Sequence, residues 1–164
     1  LVNPPTHNST KQSIADTGSS NHFLVCDSPV NNLRAVDNGL RVKLPNGQIM
    51  QASHTARIPF PDFPQEAGMA HVFPNLQSKA LISIGQLCDH GCRAIFDAIT
   101  VIIEKDGREI MRGTRQQPTG LYYIDLPTAE MNHVYECTNI KDSMQYFYLL
   151  CYSENGSVET NHSF

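Results

Sequence analysis

Two dipeptides, Asn46-Gly47 and Asp106-Gly107, each sit between short apolar–polar alternations, and they constrain the fold more than any other feature. Leu40-Arg41-Val42-Lys43-Leu44 alternates at period two, as a strand with one buried face does. Pro45-Asn46-Gly47 follows, and Gln48-Ile49-Met50-Gln51 starts a return strand expected to run on to Arg57-Ile58. Asn-Gly is the strongest short hairpin signal because both residues tolerate positive φ. Pro59, Pro61 and Pro64 end the return strand. A second hairpin is expected from Thr100-Val101-Ile102-Ile103-Glu104 and Glu109-Ile110-Met111-Arg112 around Asp106-Gly107. Further short apolar runs at residues 13–15, 22–26, 70–73, 92–96 and 121–126 make the prediction all-β. One helix interrupts it: residues 80–85 read as a buried strand that passes into a short helix ending near Gly91. Residues 30–38 are expected to be loop with one helical turn. Met144, Phe147, Tyr148 and Cys151 recur at three- and four-residue steps, which predicts an amphipathic helix over residues 141–152.

The 164 residues allow one domain with flanking segments. Residues 1–12 are rich in Pro, Asn, Thr and Ser and are expected to be linker; residues 13–126 form the domain; residues 127–164 form a linker and helical segment. A formal net charge of −4 with scattered lysines and arginines argues against a nucleic-acid face. Lys11, Arg41 and Lys43 are too dispersed to make one, and no apolar run reaches bilayer length. No basic-then-apolar signal segment opens the chain, and its polar start suggests a piece of a longer polypeptide. The five cysteines (Cys26, Cys88, Cys92, Cys137 and Cys151) are odd in number and loosely spaced, so reduced thiols in an intracellular protein are expected.

The chemistry concentrates in Ser13-Ile14-Ala15-Asp16-Thr17-Gly18-Ser19-Ser20. A carboxylate stands between an apolar approach and a hydroxyl-rich turn. Gly18 allows close backbone approach because it has no Cβ, and Thr17 and Ser19 supply hydroxyl donors. This pattern suits an Asp that works as acid or base. The bland alternative is a surface turn in which Asp16 only caps the bend.

The order of motifs adds to this reading. Ala15-Asp16-Thr17-Gly18, Leu44-Pro45-Asn46-Gly47, Ala70-His71-Val72-Phe73-Pro74 and the run Leu81-Ile82-Ser83-Ile84-Gly85-Gln86-Leu87-Cys88-Asp89-His90-Gly91-Cys92 follow one another. Arg112-Gly113-Thr114-Arg115 and Gly120-Leu121-Tyr122 come after them. Together these resemble the protease region of copia-type retrotransposon polyproteins, over residues 13–126. The tail from His133 to Ser153 looks like the segment leading toward an integrase. The resemblance implies a single-lobe retropepsin-like acid-protease barrel with one short helix, plus a C-terminal helical extension. It implies an aspartic endopeptidase that cuts its own polyprotein inside cytoplasmic virus-like particles. Asp16 would be the catalytic acid, with Thr17, Gly18 and Ser19 forming its turn. Pro45, Asn46, Gly47 and Gln48 would be the tip of a flap closing over an extended peptide. Ile82, Ile84 and Gly85 would form the supporting strand behind the turn.

Only one Asp-Thr-Gly is present, and Asp27-Ser28-Pro29 cannot be a second copy because proline replaces the needed glycine. Aspartic proteolysis uses two carboxylates, so a homodimer is expected, with Asp16 from each chain at the twofold axis. No metal, cofactor, membrane or direct nucleic-acid partner is expected; the partners are a second copy and a polyprotein peptide. Cys88, His90 and Cys92, with His71, have poor spacing for zinc. A cysteine nucleophile paired with His22 or His90 lacks an orienting third group. His22 directly follows the turn; it is read as a strand-surface residue, with tuning of the turn as the alternative. The other functional class is a catalytically silent retroelement remnant or peptide-binding scaffold with the same β fold.

Overall fold

The structure, a computed structural model, describes residues 11–60 and 63–126. Among these the fold is mostly β, with a single short α-helix and one 3-10 turn. The strands are β1 (Gln12–Asp16), β2 (His22–Leu24), β3 (Asn31–Ala35), β4 (Arg41–Lys43), β5 (Ile49–Gln51), β6 (His54–Arg57), β7 (Met69–Val72), β8 (Leu81–Ser83), β9 (Cys92–Phe96), β10 (Thr100–Lys105), β11 (Arg108–Arg115) and β12 (Tyr122–Asp125). The helix α1 is Ile84–Asp89, and the 3-10 turn is Gln65–Gly68. Ten strands form one sheet in the order β3-β6-β7-β2-β8-β1-β12-β11-β10-β9, while β4 and β5 form a separate hairpin.

The feature that positions the site is the insertion of β8 between β1 and β2, two strands consecutive in sequence. β8 runs parallel to β1, with Ile14 opposite Leu81, Ala15 opposite Ile82 and Asp16 opposite Ser83. It meets β2 antiparallel through Phe23 and Leu81. The turn from Asp16 to His22 therefore arches over the end of β8, where α1 begins.

Strand alternation splits the core into two clusters. Leu24, Ile82, Val101, Ile103 and Ile124 pack on one face with Leu87 of α1. Phe23, Phe73 and Leu81 pack on the other with Val42 and Met50 of the β4–β5 hairpin. The strands around the turn are thus buried on both faces, which explains why β2 and β8 read as continuous apolar runs.

Both hairpins form, by different turns. Asp106 and Gly107 have φ of 50° and 74°, as a two-residue primed turn requires. At the other, the Gly47 N–H donates to the Leu44 carbonyl (2.9 Å) and the Leu44 N–H to the Gln48 carbonyl (2.7 Å). Pro45 and Asn46 are therefore the central pair, with Gly47 following at φ 85° in a three-residue loop.

Several expectations need correction. Residues 31–35 are a strand, not loop and helical turn: β3 pairs with β6 at the sheet edge. Only Leu33 of β3 is even half-buried, so no alternation marked it. The return strand of the first hairpin does not continue to Ile58. The Ala52 N–H donates to Leu40, but the next N–H, of Ser53, donates to Val72, so the chain changes sheets there. Gln12, expected in the linker, belongs to β1 and pairs with Asp125. Cys88 and Cys92 are free thiols, but Cys26 is disulfide-bonded, which corrects the all-reduced expectation; parity and spacing along a chain do not reveal neighbours in space. The helix expected over residues 141–152 lies outside the described residues.

Gly113 gives a sharp stability test. A Cβ there would meet the Tyr123 carbonyl oxygen at 2.2 Å and Val101 Cγ1 at 2.8 Å. Backbone and a fully buried valine cannot both give way. Gly113→Ala is expected to lower stability by about 2 kcal/mol, read as a shifted urea midpoint with unchanged slope.

Candidate active site

Asp16 ends β1 and is half-buried. By alternation it shares a face with Ile14, which packs against the hairpin's cluster. Asp16 therefore lies on the sheet face that the β4–β5 hairpin covers. Its Oδ1 accepts from the Gly18 N–H at 2.8 Å. A Cβ on Gly18 would sit 3.4 Å from that same oxygen, an ordinary contact, so nothing among the described residues demands glycine there. Thr17 and Gly18 are exposed, whereas Ser19 is buried and its hydroxyl donates to the Asn21 carbonyl at 2.6 Å.

The hairpin tip residues Pro45, Asn46, Gly47 and Gln48 are all exposed. Asn46 stiffens the tip: its Oδ1 accepts from the Gln48 N–H (2.9 Å) and its Nδ2 donates to Gln48 Oε1 (2.9 Å). The base is anchored by Val42 and Met50. A rigid tip on a packed base can move only as a unit.

The expected support strand is shorter than the sequence suggested. Ile82 is fully buried in β8 opposite Ala15. Ile84 and Gly85 instead form the first turn of α1, because the Ser83 Oγ accepts from the Gln86 N–H (3.0 Å) and caps the helix. A Cβ on Gly85 would meet nothing closer than 3.8 Å, so no contact among the described residues requires glycine there.

Sequence reasoning missed the polar cluster behind the turn. His22 is not on the surface; it is fully buried, with Phe60 edge-on to its ring. Its Nδ1 accepts from the Ser83 N–H at 2.9 Å, which puts the proton on Nε2, 2.8 Å from the Ala67 carbonyl. The Ser83 hydroxyl donates to the Ser19 carbonyl at 2.5 Å. Gln86 accepts from the His22 N–H (3.1 Å) and donates to the Met69 carbonyl (2.8 Å). Burial lowers the His22 pKa to about 4, against the Ala67 hydrogen bond; His90 and His71 push the same way as burial. One signal was available: Ser83 is a lone hydroxyl within Leu81-Ile82-Ser83-Ile84, and a hydroxyl in an apolar run needs a buried partner.

Cys88 lies exposed on α1 and Cys92 is buried on β9, while His90 Nδ1 donates to the Gln86 carbonyl at the helix end (2.8 Å). Among the described residues no group of three or more His, Cys, Asp or Glu is placed to hold a metal ion. No helix among them is long and apolar enough to cross a membrane.

Ser83→Ala removes the cap of α1 and the donor to Ser19 together. The expected loss is about 1–2 kcal/mol, measured by chemical denaturation.

No family model, no curated protein and no solved structure matches the chain.

Proposed function

We propose that this chain is one half of an aspartic endopeptidase of the retropepsin type, completed by a second copy of itself. The observation that carries the reading is the placement of Asp16. It stands at the end of a partly buried strand, on the face the β4–β5 hairpin covers, in a turn that arches over an inserted, fully buried parallel strand. An ordinary Asx turn explains the Gly18 bond but needs neither the inserted strand nor the covering hairpin.

In the dimer, the two Asp16 carboxylates approach to about 3 Å and share one proton, since like charges so close cannot both ionise. The ionised partner takes a proton from a water held between them, and the water attacks the peptide carbonyl. The protonated partner donates to the carbonyl oxygen; as the tetrahedral intermediate collapses, it takes that proton back, the other Asp16 gives the proton it drew from water to the nitrogen, and the C–N bond breaks to release the amine. Thr17, exposed in the single chain, reaches across the axis to fix the two turns. Substrate lies extended beneath the hairpin tip, pairing its backbone as an added strand, and closure of the tip excludes water. The substrate is the polyprotein's own junctions.

The test is concentration. Cleavage of a peptide spanning a junction at mildly acidic pH should rise faster than linearly with chain concentration, and a statin-type transition-state mimic should stop it. A chain that binds the peptide but never cuts it, up to concentrations where it is dimeric, would overturn the protease reading in favour of a scaffold.

A further inference from the structure

We propose that His22 is a positioning residue for Asp16, holding the active-site turn from behind through its neutral ring. The inference rests on the protease reading for its consequence, but the clamp itself is a matter of geometry. The turn from Thr17 to Asn21 must cross the end of β8, and nothing in β1–β2 pairing can hold it, because the two strands are not neighbours. The link is made by side chains. His22 binds the Ser83 N–H on one side and the Ala67 carbonyl on the other, so it joins β8 to the 3-10 turn. Ser83 passes the constraint forward, since its hydroxyl holds the Ser19 carbonyl inside the turn and it stands opposite Asp16 in the parallel register. Asp16 is thus tied to a buried ring six residues on, through one strand and two hydrogen bonds.

The clamp works in one protonation state. A protonated ring would present an N–H from Nδ1 toward the Ser83 N–H, turning a hydrogen bond into a donor–donor clash. The titratable groups facing the ring, His71 of β7 and His90 after α1, both oppose a second positive charge there. From the 3-10 turn Glu66 contributes a backbone carbonyl to the cluster and is itself exposed. Gln86 of α1 and Ser83 of β8 are uncharged. Acidification therefore releases the turn rather than being absorbed by a neighbouring carboxylate.

The experiment is amide hydrogen exchange on the full chain, read as protection factors at the Ser83 amide from pH 7 to 3.5, paired with cleavage kinetics. In the wild type, Ser83 protection should fall at least tenfold as pH drops from 6.5 to about 4 and level off below that. His22→Leu should lose that protection at every pH while keeping protection in β10 and β11. His22→Asn, whose Oδ1 can still accept from the Ser83 N–H, should keep it without the transition. In cleavage, His22→Leu should lower kcat at least tenfold with little change in KM, and His22→Asn should recover part of the loss. Ser83 protection that ignores both pH and His22→Leu would overturn the clamp even in an active enzyme. Intact protection behaviour in a chain that never cleaves would leave the clamp standing and sink the protease reading alone. If His22→Leu does not fold, the wild-type pH transition and the asparagine variant still decide it.

Discussion

Asp16→Asn is expected to abolish peptide cleavage, by about 10²–10⁴-fold or more, while the chain keeps its fold. The amide is nearly isosteric with the carboxylate, and its side-chain oxygen can still accept from the Gly18 N–H, so the turn has no reason to open. What the proposed enzyme would lose is its ionisable pair. An amide cannot take a proton from water, and the dimer of two variants has no base at all. The variant should also poison the wild type. If chains pair at random, a tenfold excess of Asp16→Asn leaves only about one wild-type chain in eleven with a competent partner. Activity per wild-type chain should fall about tenfold. Far-UV spectra and urea midpoints should match the wild type. Persistent cleavage by the variant, or a mixture whose activity simply adds, would show that one carboxylate from each of two chains is not the catalyst.

What the sequence revealed, and what it hid, follows from the physics of each signal. The hairpins at Asn46-Gly47 and Asp106-Gly107 were legible because positive φ demands particular residues locally. The Asp16 turn was legible for another reason: an Asp followed by a small hydroxyl residue and glycine favours a carboxylate that accepts from the N–H two residues on, without positive φ. β3 was not, because an edge strand with one half-buried residue leaves no alternation to read. The early start of α1 was hidden because Ile84 is apolar whether it ends a strand or opens a helix; only the Ser83 cap decides. The His22 cluster was hidden most thoroughly. Its partners lie 45 and 61 residues away, and a histidine at the head of an apolar run reads the same on a surface as in a core. The placement of β8 between β1 and β2 is a long-range choice that no local pattern encodes, yet it is what gives Asp16 its setting.

That buried histidine sets the pH dependence of stability. Its pKa is lowered from 6.5 to about 4 in the fold, chiefly by burial. As pH falls from 6.5 to 4, the unfolded chain takes up a proton on this side chain and the folded chain does not, so acid favours unfolding across that window. Stability is full above 6.5 and reaches its lower plateau below 4. At 1.36 kcal/mol per unit, the loss is about 3 kcal/mol, a large share of a small domain's total. His71, lowered in the same direction by burial, adds to the slope. Asp97 and Glu109 act lower. Hydrogen bonds from Thr100 and Ile99 hold the Asp97 carboxyl down, and Arg112 holds Glu109 down, so their contributions vanish only as pH falls through those lowered values. Urea titrations every half unit from pH 7.5 to 4 should show this slope in the wild type and a flatter one in His22→Leu. Unfolding near pH 5 should take up close to one proton that the variant does not. A wild-type midpoint that stays level across the window would show that His22 is free to ionise in the fold. For the proposed protease the consequence would be a squeeze: a proton shared between two carboxylates would be kept in mild acid, while the ring that holds their turns in place needs the opposite. Its activity is therefore expected only in a band above the window in which His22 takes up its proton, and a variant that keeps the Ser83 hydrogen bond without a titrating ring should extend that band toward acid.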